Sequence, residues 1–275
     1  MNNKIDDLVN FVDLNNKNNE VTRKKSKSFK LFIINILTIV LLLSSGMGIK
    51  TYLDQKNDTE DIININKELK NKIVTLEEED KVEEIDEEIT EPSTKTDYSQ
   101  LTKINSDMVG WLTVPGTEID ISVVQTSNND YYLTHDFNKK WNSMGWAFAD
   151  YRNSFPSLDG NTIIYGHTYK RTIIFSTLKD VLKKEWLNNK DMQYITFNTL
   201  EGDLVWEVFS VYTIKKTNDY LVTSIDDDFI NMIKERSIKD FNVDVSVDDK
   251  IITLSTCYNN SNTRLVVHAK KVMDN

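Results

Sequence analysis

Apolar residues along this chain follow three different spacings. From residue 31 to 49 (LFIINILTIVLLLSSGMGI) they run without a charge, interrupted by one strongly polar residue, Asn35. At about 1.5 Å per helical residue the run spans roughly 28 Å, against a hydrocarbon core of about 30 Å. Between residues 50 and 97 apolar positions thin out, yet Ile62, Ile65, Leu69, Ile73 and Leu76 recur at helical intervals, which predicts a helix over part of that stretch. From Tyr98 onward short β-branched runs bounded by Gly, Asn or Asp predict strands over 111–114, 119–125, 145–149, 162–165, 192–198, 205–214, 250–255 and 264–272. Helices are predicted over 98–107, 175–187 and 229–237. Asp226, Asp227 and Asp228 lie just before the last, where carboxylates complement helix N-terminal N–H groups. Many strands with few scattered helices define a mainly β fold, a barrel or sandwich with helical insertions.

Charge sharpens this division. The net charge of −10 is spread unevenly, with +3 over residues 1–30, −9 over 50–97 and −4 over the rest. Arg23, Lys24, Lys25, Lys27 and Lys30 precede the apolar run and acidic residues dominate beyond it, so the positive-inside bias leaves the N-terminus cytoplasmic. Ser44, Ser45 and Gly46 offer small residues for a signal-peptide cut, but the segment before the apolar run is too long for an ordinary n-region, which favours an uncleaved anchor. The run from Glu77–Asp80 through Glu87 and Glu88 repels itself, consistent with a solvated spacer that ends at Pro92-Ser93-Thr94. The expected organisation is a cytoplasmic segment 1–30, a transmembrane helix 31–49, an acidic spacer 50–97 and one globular domain 98–275. No block is basic enough for a nucleic-acid groove, so no nucleic-acid partner is expected. Three dispersed His and one Cys supply no metal-ligand spacing, and no cofactor motif is present, so neither metal nor cofactor is expected.

The one cysteine, Cys257, cannot form an intramolecular disulfide, and a lone Cys is commonly a packed small hydrophobe. Its surroundings point elsewhere. In 250–271 (KIITLSTCYNNSNTRLVVHAKK) an apolar strand runs into Cys257, a polar turn 258–263 comes next, and a second strand opens on Arg264. Such a hairpin lets Cys257 and Arg264 meet across the turn, where a guanidinium favours thiolate and can donate to an oxyanion. A thiol nucleophile also needs a group to protonate its leaving amine, usually histidine. His167 ranks first, because it comes directly after Gly166 at the mouth of a strand. His268 ranks second; it shares a strand face with Arg264 but lies roughly 13 Å along that strand. His135, in Tyr-Tyr-Leu-Thr-His-Asp-Phe, ranks third as a surface or capping residue.

These motifs resemble one family. Thr253-Leu254-Ser255-Thr256-Cys257 followed by 264–270 (RLVVHAK) resembles the active-site hairpin of the sortases, and Tyr165-Gly166-His167 resembles their histidine strand. The resemblance runs from about Tyr98 to Val272, including Gly110-Trp111-Leu112 and Pro115-Gly116-Thr117. Helices before the first strand and the helical insertion at 229–237 are most similar to class B sortases. Tyr258-Asn259 stands where many class B members carry an acidic residue, and Thr263 replaces a usual glycine.

The resemblance implies an eight-stranded sortase-type β-barrel with catalytic Cys257, His167 and Arg264, and it makes His268 a structural residue. It also implies a membrane-anchored transpeptidase of a Gram-positive cell surface. Cys257 would cleave an LPxTG-like C-terminal sorting signal between Thr and Gly, passing through a thioester. The partners implied are surface proteins or pilins that carry the signal, and a peptidoglycan-precursor or pilin amine as acceptor. Two other readings differ in what they require of Cys257. A papain-like thiol hydrolase sets its cysteine at a helix N-terminus, and a non-catalytic cell-surface module leaves it unreactive.

Overall fold

Eight strands close into a barrel in the order β1-β2-β3-β4-β7-β8-β6-β5. They are β1 (Met108–Thr113), β2 (Asp120–Val124), β3 (Phe148–Ala149), β4 (Asn161–Tyr165), β5 (Tyr194–Thr199), β6 (Val205–Lys215), β7 (Ile251–Tyr258) and β8 (Asn260–Lys271). The structure, a computed structural model, describes residues 2–83, 96–168, 174–258 and 260–272. Neighbouring strands run antiparallel except at β2–β3 and β4–β7, which are parallel. Alternation decides what points inward: along β5 Ile195, Phe197 and Thr199 are buried while their neighbours are half-exposed. Ile121, Val123, Ile164, Leu254 and Leu265 are fully buried in the same core, each contributing about 1.5–3 kcal/mol over an exposed side chain.

All eight predicted strands are present, with ends shifted by a few residues. β7 and β8 extend further into the hairpin than expected, pairing Tyr258 with Asn260, so the turn is shorter than the anticipated 258–263. Two of the three predicted helices are α2 (Ser99–Ile104) and α4 (Asp227–Glu235). α4 starts where the Asp226 side chain accepts from Phe229 N at 2.8 Å, a cap contributing about 1 kcal/mol, and it buries Phe229, Ile230 and Ile233. The third, 175–187, is broken into a 3₁₀ turn at Leu178–Leu182 and a short α3 (Lys184–Leu187), because Lys183 between them is extended. Trp186, in the short α3, is held from a distance: its Nε1 donates to Pro115 O at 2.8 Å and its ring lies where a Cβ on Gly116, at φ +76°, would sit 2.9 Å away.

The helix α1 (Asn2–Glu83) contributes to two compact units, Met1–Asp54 and Gln55–Asn275. In the first unit the side chains of residues 31–49 are exposed, and α1 is the one helix among the described residues long and apolar enough to cross a membrane. In the second unit Ile62 and Leu69 are fully or nearly fully buried in the barrel's core cluster, with Ile65 and Ile73 packed against it. Asn66 donates to Asp120 O at 3.0 Å and Lys70 reaches Asp120 Oδ2 at 2.6 Å, while the Asp58 carboxylate accepts from Ser143 N and Oγ. Part of the expected spacer is therefore docked structure, and the compact domain begins well before Tyr98. The charged run 84–88 and Pro92-Ser93-Thr94 lie outside the described residues, as do the side chains of Leu76 and Glu77–Asp80.

A polar chain crosses the barrel interior. The Thr253 hydroxyl donates its one proton to Asn161 Oδ1 at 2.6 Å, so at 2.8 Å it must accept from His268 Nδ1. His268 Nε2 is then the acceptor for Tyr212 OH at 2.9 Å. The imidazole is fully buried, neutral and satisfied, and burial, with the nearby Arg236 charge, pushes its pKa down to about 3. In the unfolded chain His268 returns to about 6.5, so the unfolded state binds more protons between these values. Its contribution to stability is present above about pH 6.5 and is lost as pH falls toward 3. Denaturant unfolding of wild type should show that loss, and His268→Gln should lower stability at pH 7 while flattening the pH dependence. An unchanged slope in the variant would show that other groups control it.

Candidate active site

Arg264 is the direct antiparallel partner of Cys257 across β7 and β8, and on its other side it pairs with Ile214 of β6. Directly opposed residues carry their Cβ atoms about 4.5–5.5 Å apart, so thiol and guanidinium share one neighbourhood. The register shifts between Cys257 and Tyr258, so this pair ends the regular ladder. Cys257 is half-buried on a strand rather than at the start of a helix, the placement a papain-like site requires. Arg264 is also half-buried, and its Nη1 donates to Thr263 O at 3.2 Å.

His167 comes from the strand on the other side of β7. Tyr165 of β4 pairs with Ser255 in parallel register, and counting on by two sets His167 level with Cys257. Three contacts extend that alignment past the end of β4. Gly166 N donates to Ser255 O at 3.4 Å, and Thr256 Oγ1 donates to Gly166 O at 2.6 Å. Having spent its proton there, Thr256 Oγ1 accepts from Thr168 Oγ1 at 2.5 Å. The residues on both sides of His167 are thereby fastened to the residue before Cys257. Gly166 is required for space: a Cβ there would lie 2.5 Å from Phe175 Cγ. His167 O in turn accepts from Phe175 N at 3.1 Å.

The imidazole itself is oriented by a main-chain oxygen. His167 Nε2 lies 3.1 Å from Leu133 O; a carbonyl only accepts, so Nε2 carries the proton and Nδ1 is left to exchange one. Burial lowers the His167 pKa from its ordinary value, and the Leu133 carbonyl opposes that shift by favouring the protonated ring. His167 should therefore titrate below the ordinary 6.5 when its ring signals are followed by NMR in a Cys257→Ala background. A midpoint at or above that value would contradict a desolvated ring.

The other histidines stand apart. His268 pairs with Thr253, four residues before Cys257, inside the polar chain that crosses the barrel. His135 stacks on Tyr131 at 4.0 Å between centroids and bridges to Trp141. Two participants near the site had no signal in the sequence. One is the Leu133 carbonyl, in a 3₁₀ turn Tyr131–Leu133 within the stretch that leads to His135. The other is Tyr220, fully buried, whose OH lies 3.0 Å from Ser255 Oγ and which is within electrostatic range of both Arg264 and Cys257. Among the described residues no group of His, Cys, Asp and Glu is placed to hold a metal ion.

Comparison with known proteins identifies the family. A sortase-domain family model matches residues 112–272. Sortase B of Listeria monocytogenes is 39% identical over 170 residues, covering 59% of this chain and 68% of the relative. Sortase B of Staphylococcus aureus is 30% identical over 249 residues, covering 87% and 96%. The solved S. aureus sortase B–substrate complex superposes with a TM-score of 0.68 at 29% identity, covering 78% of this chain and 98% of that one. The chain belongs to the sortase family of transpeptidases. Within that family it is most like the class B sortases, and its eight-stranded barrel is theirs.

Proposed function

We propose that this enzyme is a membrane-anchored cysteine transpeptidase that cleaves an LPxTG-like sorting signal between Thr and Gly and joins the new C-terminus to an amine. The observation that carries this reading is the pairing of Cys257 with Arg264 on one side and, on the other, the tethering of Gly166 and Thr168, which flank His167, to Thr256. The Cys257 thiolate attacks the threonyl carbonyl, forming a C–S bond and a tetrahedral oxyanion. Arg264 donates to that oxyanion and holds the substrate. As the oxyanion collapses, the C–N bond to glycine breaks and Nδ1 of the His167 imidazolium gives its proton to the departing amine. An acceptor amine then attacks the thioester. A new C–N bond forms, the C–S bond breaks, His167 takes the amine's proton and Cys257 leaves as thiolate. A desolvated site held in place by the Leu133 carbonyl suits this work, because the ring keeps one orientation through both proton transfers.

In this reading residues 1–30 are cytoplasmic, 31–49 cross the membrane and the catalytic unit faces the cell wall. The docked segment 55–73 belongs to the catalytic body. The acceptor is a peptidoglycan-precursor amine or a pilin lysine, and the donors are surface proteins or pilins that carry the signal. The S. aureus sortase B–substrate complex supports a peptide substrate for the site. A library of internally quenched peptides, screened on the full chain in detergent with oligoglycine and lysine amines added, tests the reading. Cleavage that an amine accelerates, with the amide product found by mass spectrometry, is expected. Cleavage to the free acid alone would make the enzyme a hydrolase.

A further inference from the structure

The carbonyl that orients His167 is itself held in place. A strap, residues 142–146 (NSMGW), bonds to both neighbours of Leu133: Asn142 N donates to Thr134 O at 2.9 Å, and Trp146 N donates to Tyr132 O at 2.9 Å. Gly145, at φ +64°, lies between those two bonds. A Cβ there would clash with Tyr132 O and lie 2.7 Å from Leu133 O, so only glycine lets the strap come this close. From Leu133 O the contact passes to His167 Nε2 at 3.1 Å. The docked part of α1 grips the same strap. One carboxylate oxygen of Asp58, Oδ2, accepts from Ser143 N at 3.1 Å and also from Ser143 Oγ. The Asp58 carbonyl accepts from Asn142 Nδ2 at 3.0 Å, and Asn142 Oδ1 accepts from Met144 N at 2.8 Å.

We propose that Asp58 is a positioning residue for His167, acting through the strap 142–146 and the Leu133 carbonyl, so that the first helix is part of the active-site scaffold. This rests on the sortase reading of the site, which makes His167 the proton carrier. Two features of the geometry support it. The strap has little freedom of its own, because Asn142 is buried and spends its side-chain amide on Asp58 and Met144. A shift at Ser143 is therefore passed on to the bonds that bracket Leu133. The helix, in turn, is docked by Ile62, Leu69 and Asn66 without the Asp58 carboxylate, so that carboxylate fixes the strap more than it holds the helix. A ring that must keep one orientation through two proton transfers is sensitive to such support, since a displacement of about 1 Å can cost up to about 10² in rate.

Asp58→Ala and Asp58→Asn, each made in the full chain in detergent, separate the shared oxygen from the charge, since an asparagine Oδ1 can accept both Ser143 bonds. Asp58→Ala should speed hydrogen exchange of the Ser143 and Trp146 amides. In a Cys257→Ala background with nitrogen-labelled histidine it should also speed exchange of the His167 Nε2 proton, read by NMR, by about tenfold. With Cys257 present it should lower kcat about tenfold for the internally quenched peptide that wild type cleaves fastest, with KM within about twofold. Asp58→Asn should stay within about threefold of wild type in every readout. Ser143→Ala, which removes only the hydroxyl half of the latch, should move the same readouts in the same direction by less, and it serves as the test if Asp58→Ala does not fold. Wild-type exchange of the Nε2 proton in the alanine variants would overturn the relay. Faster exchange with an unchanged kcat would overturn the positioning role. An Asp58→Asn chain as impaired as Asp58→Ala would overturn the latch, because charge and not the shared oxygen would then be acting. A wild-type chain that cleaves no peptide counts against the sortase reading instead, and the ring-proton exchange, which needs no substrate, still decides whether Asp58 acts on His167.

Discussion

Replacing Cys257 by Ala should abolish both cleavage of a sorting peptide and transfer to an amine, while the barrel stays folded. Every covalent step runs through the thiol, and no other described side chain between Arg264 and His167 offers a nucleophile of comparable strength at neutral pH. The structural cost should be small. Cys257 is half-buried at the end of the regular ladder, so removing its sulfur opens little closed volume, and the hydrogen bonds that hold its neighbours come from Ser255, Thr256 and the backbone. The thermal midpoint should move by no more than about 4 °C, the shift expected for 1 kcal/mol in a domain of this size. Peptide cleavage and amide formation are measured separately, with Tm alongside. Turnover above a few per cent of wild type would remove Cys257 from the mechanism.

Arg264→Lys should be almost as damaging although it conserves charge. A guanidinium presents several donors in one plane, whereas an ammonium is a compact charge on a flexible stem. From the register position opposite Cys257, Arg264 can meet a substrate carbonyl and the developing oxyanion together. Losing one oxyanion donor costs about 2.7–4 kcal/mol, a factor of about 10² to 10³, and a loss of that order in the acylation rate is expected. Single-turnover acylation with Cys257→Ala as the blank measures it. A variant within about threefold of wild type would mean that charge alone suffices and that Arg264 acts only by favouring thiolate.

Strand positions were legible because β-branched runs between turn residues carry their own period, and all eight strands fall where that period places them. The predicted helix at 175–187 is interrupted at the extended Lys183, next to a contact with a distant part of the chain. Trp186 bends toward Pro115 and Gly116, and nothing local to 183 announces it. The docked part of α1 was half legible. Ile62, Ile65 and Leu69 showed the apolar face, but buried Asn66 and the Lys70–Asp120 pair look like solvated polar residues until a partner 50 or so residues away is known. The site divides the same way. Cys257, Arg264 and His167, the residues of the proposed site, stood out because each is a side chain with distinctive chemistry near a strand end. The Leu133 carbonyl did not, since a main-chain acceptor leaves no residue type to notice. Gly166 marked the mouth of the histidine strand, and what requires a glycine there is the packing of Phe175 against it.

The central claim is a thioester on Cys257 that an amine resolves, and intact-mass spectrometry of the enzyme mixed with a cleavable sorting peptide tests it most directly. Without an acceptor, the full chain should gain the mass of the peptide's N-terminal fragment through threonine. Proteolysis should map that mass to the fragment bearing Cys257. Adding an amine such as triglycine should remove the adduct and yield an equal amount of the amide. Peptide cleaved with no adduct at any time and no amide when amine is present, or an adduct on any residue other than Cys257, would contradict the account.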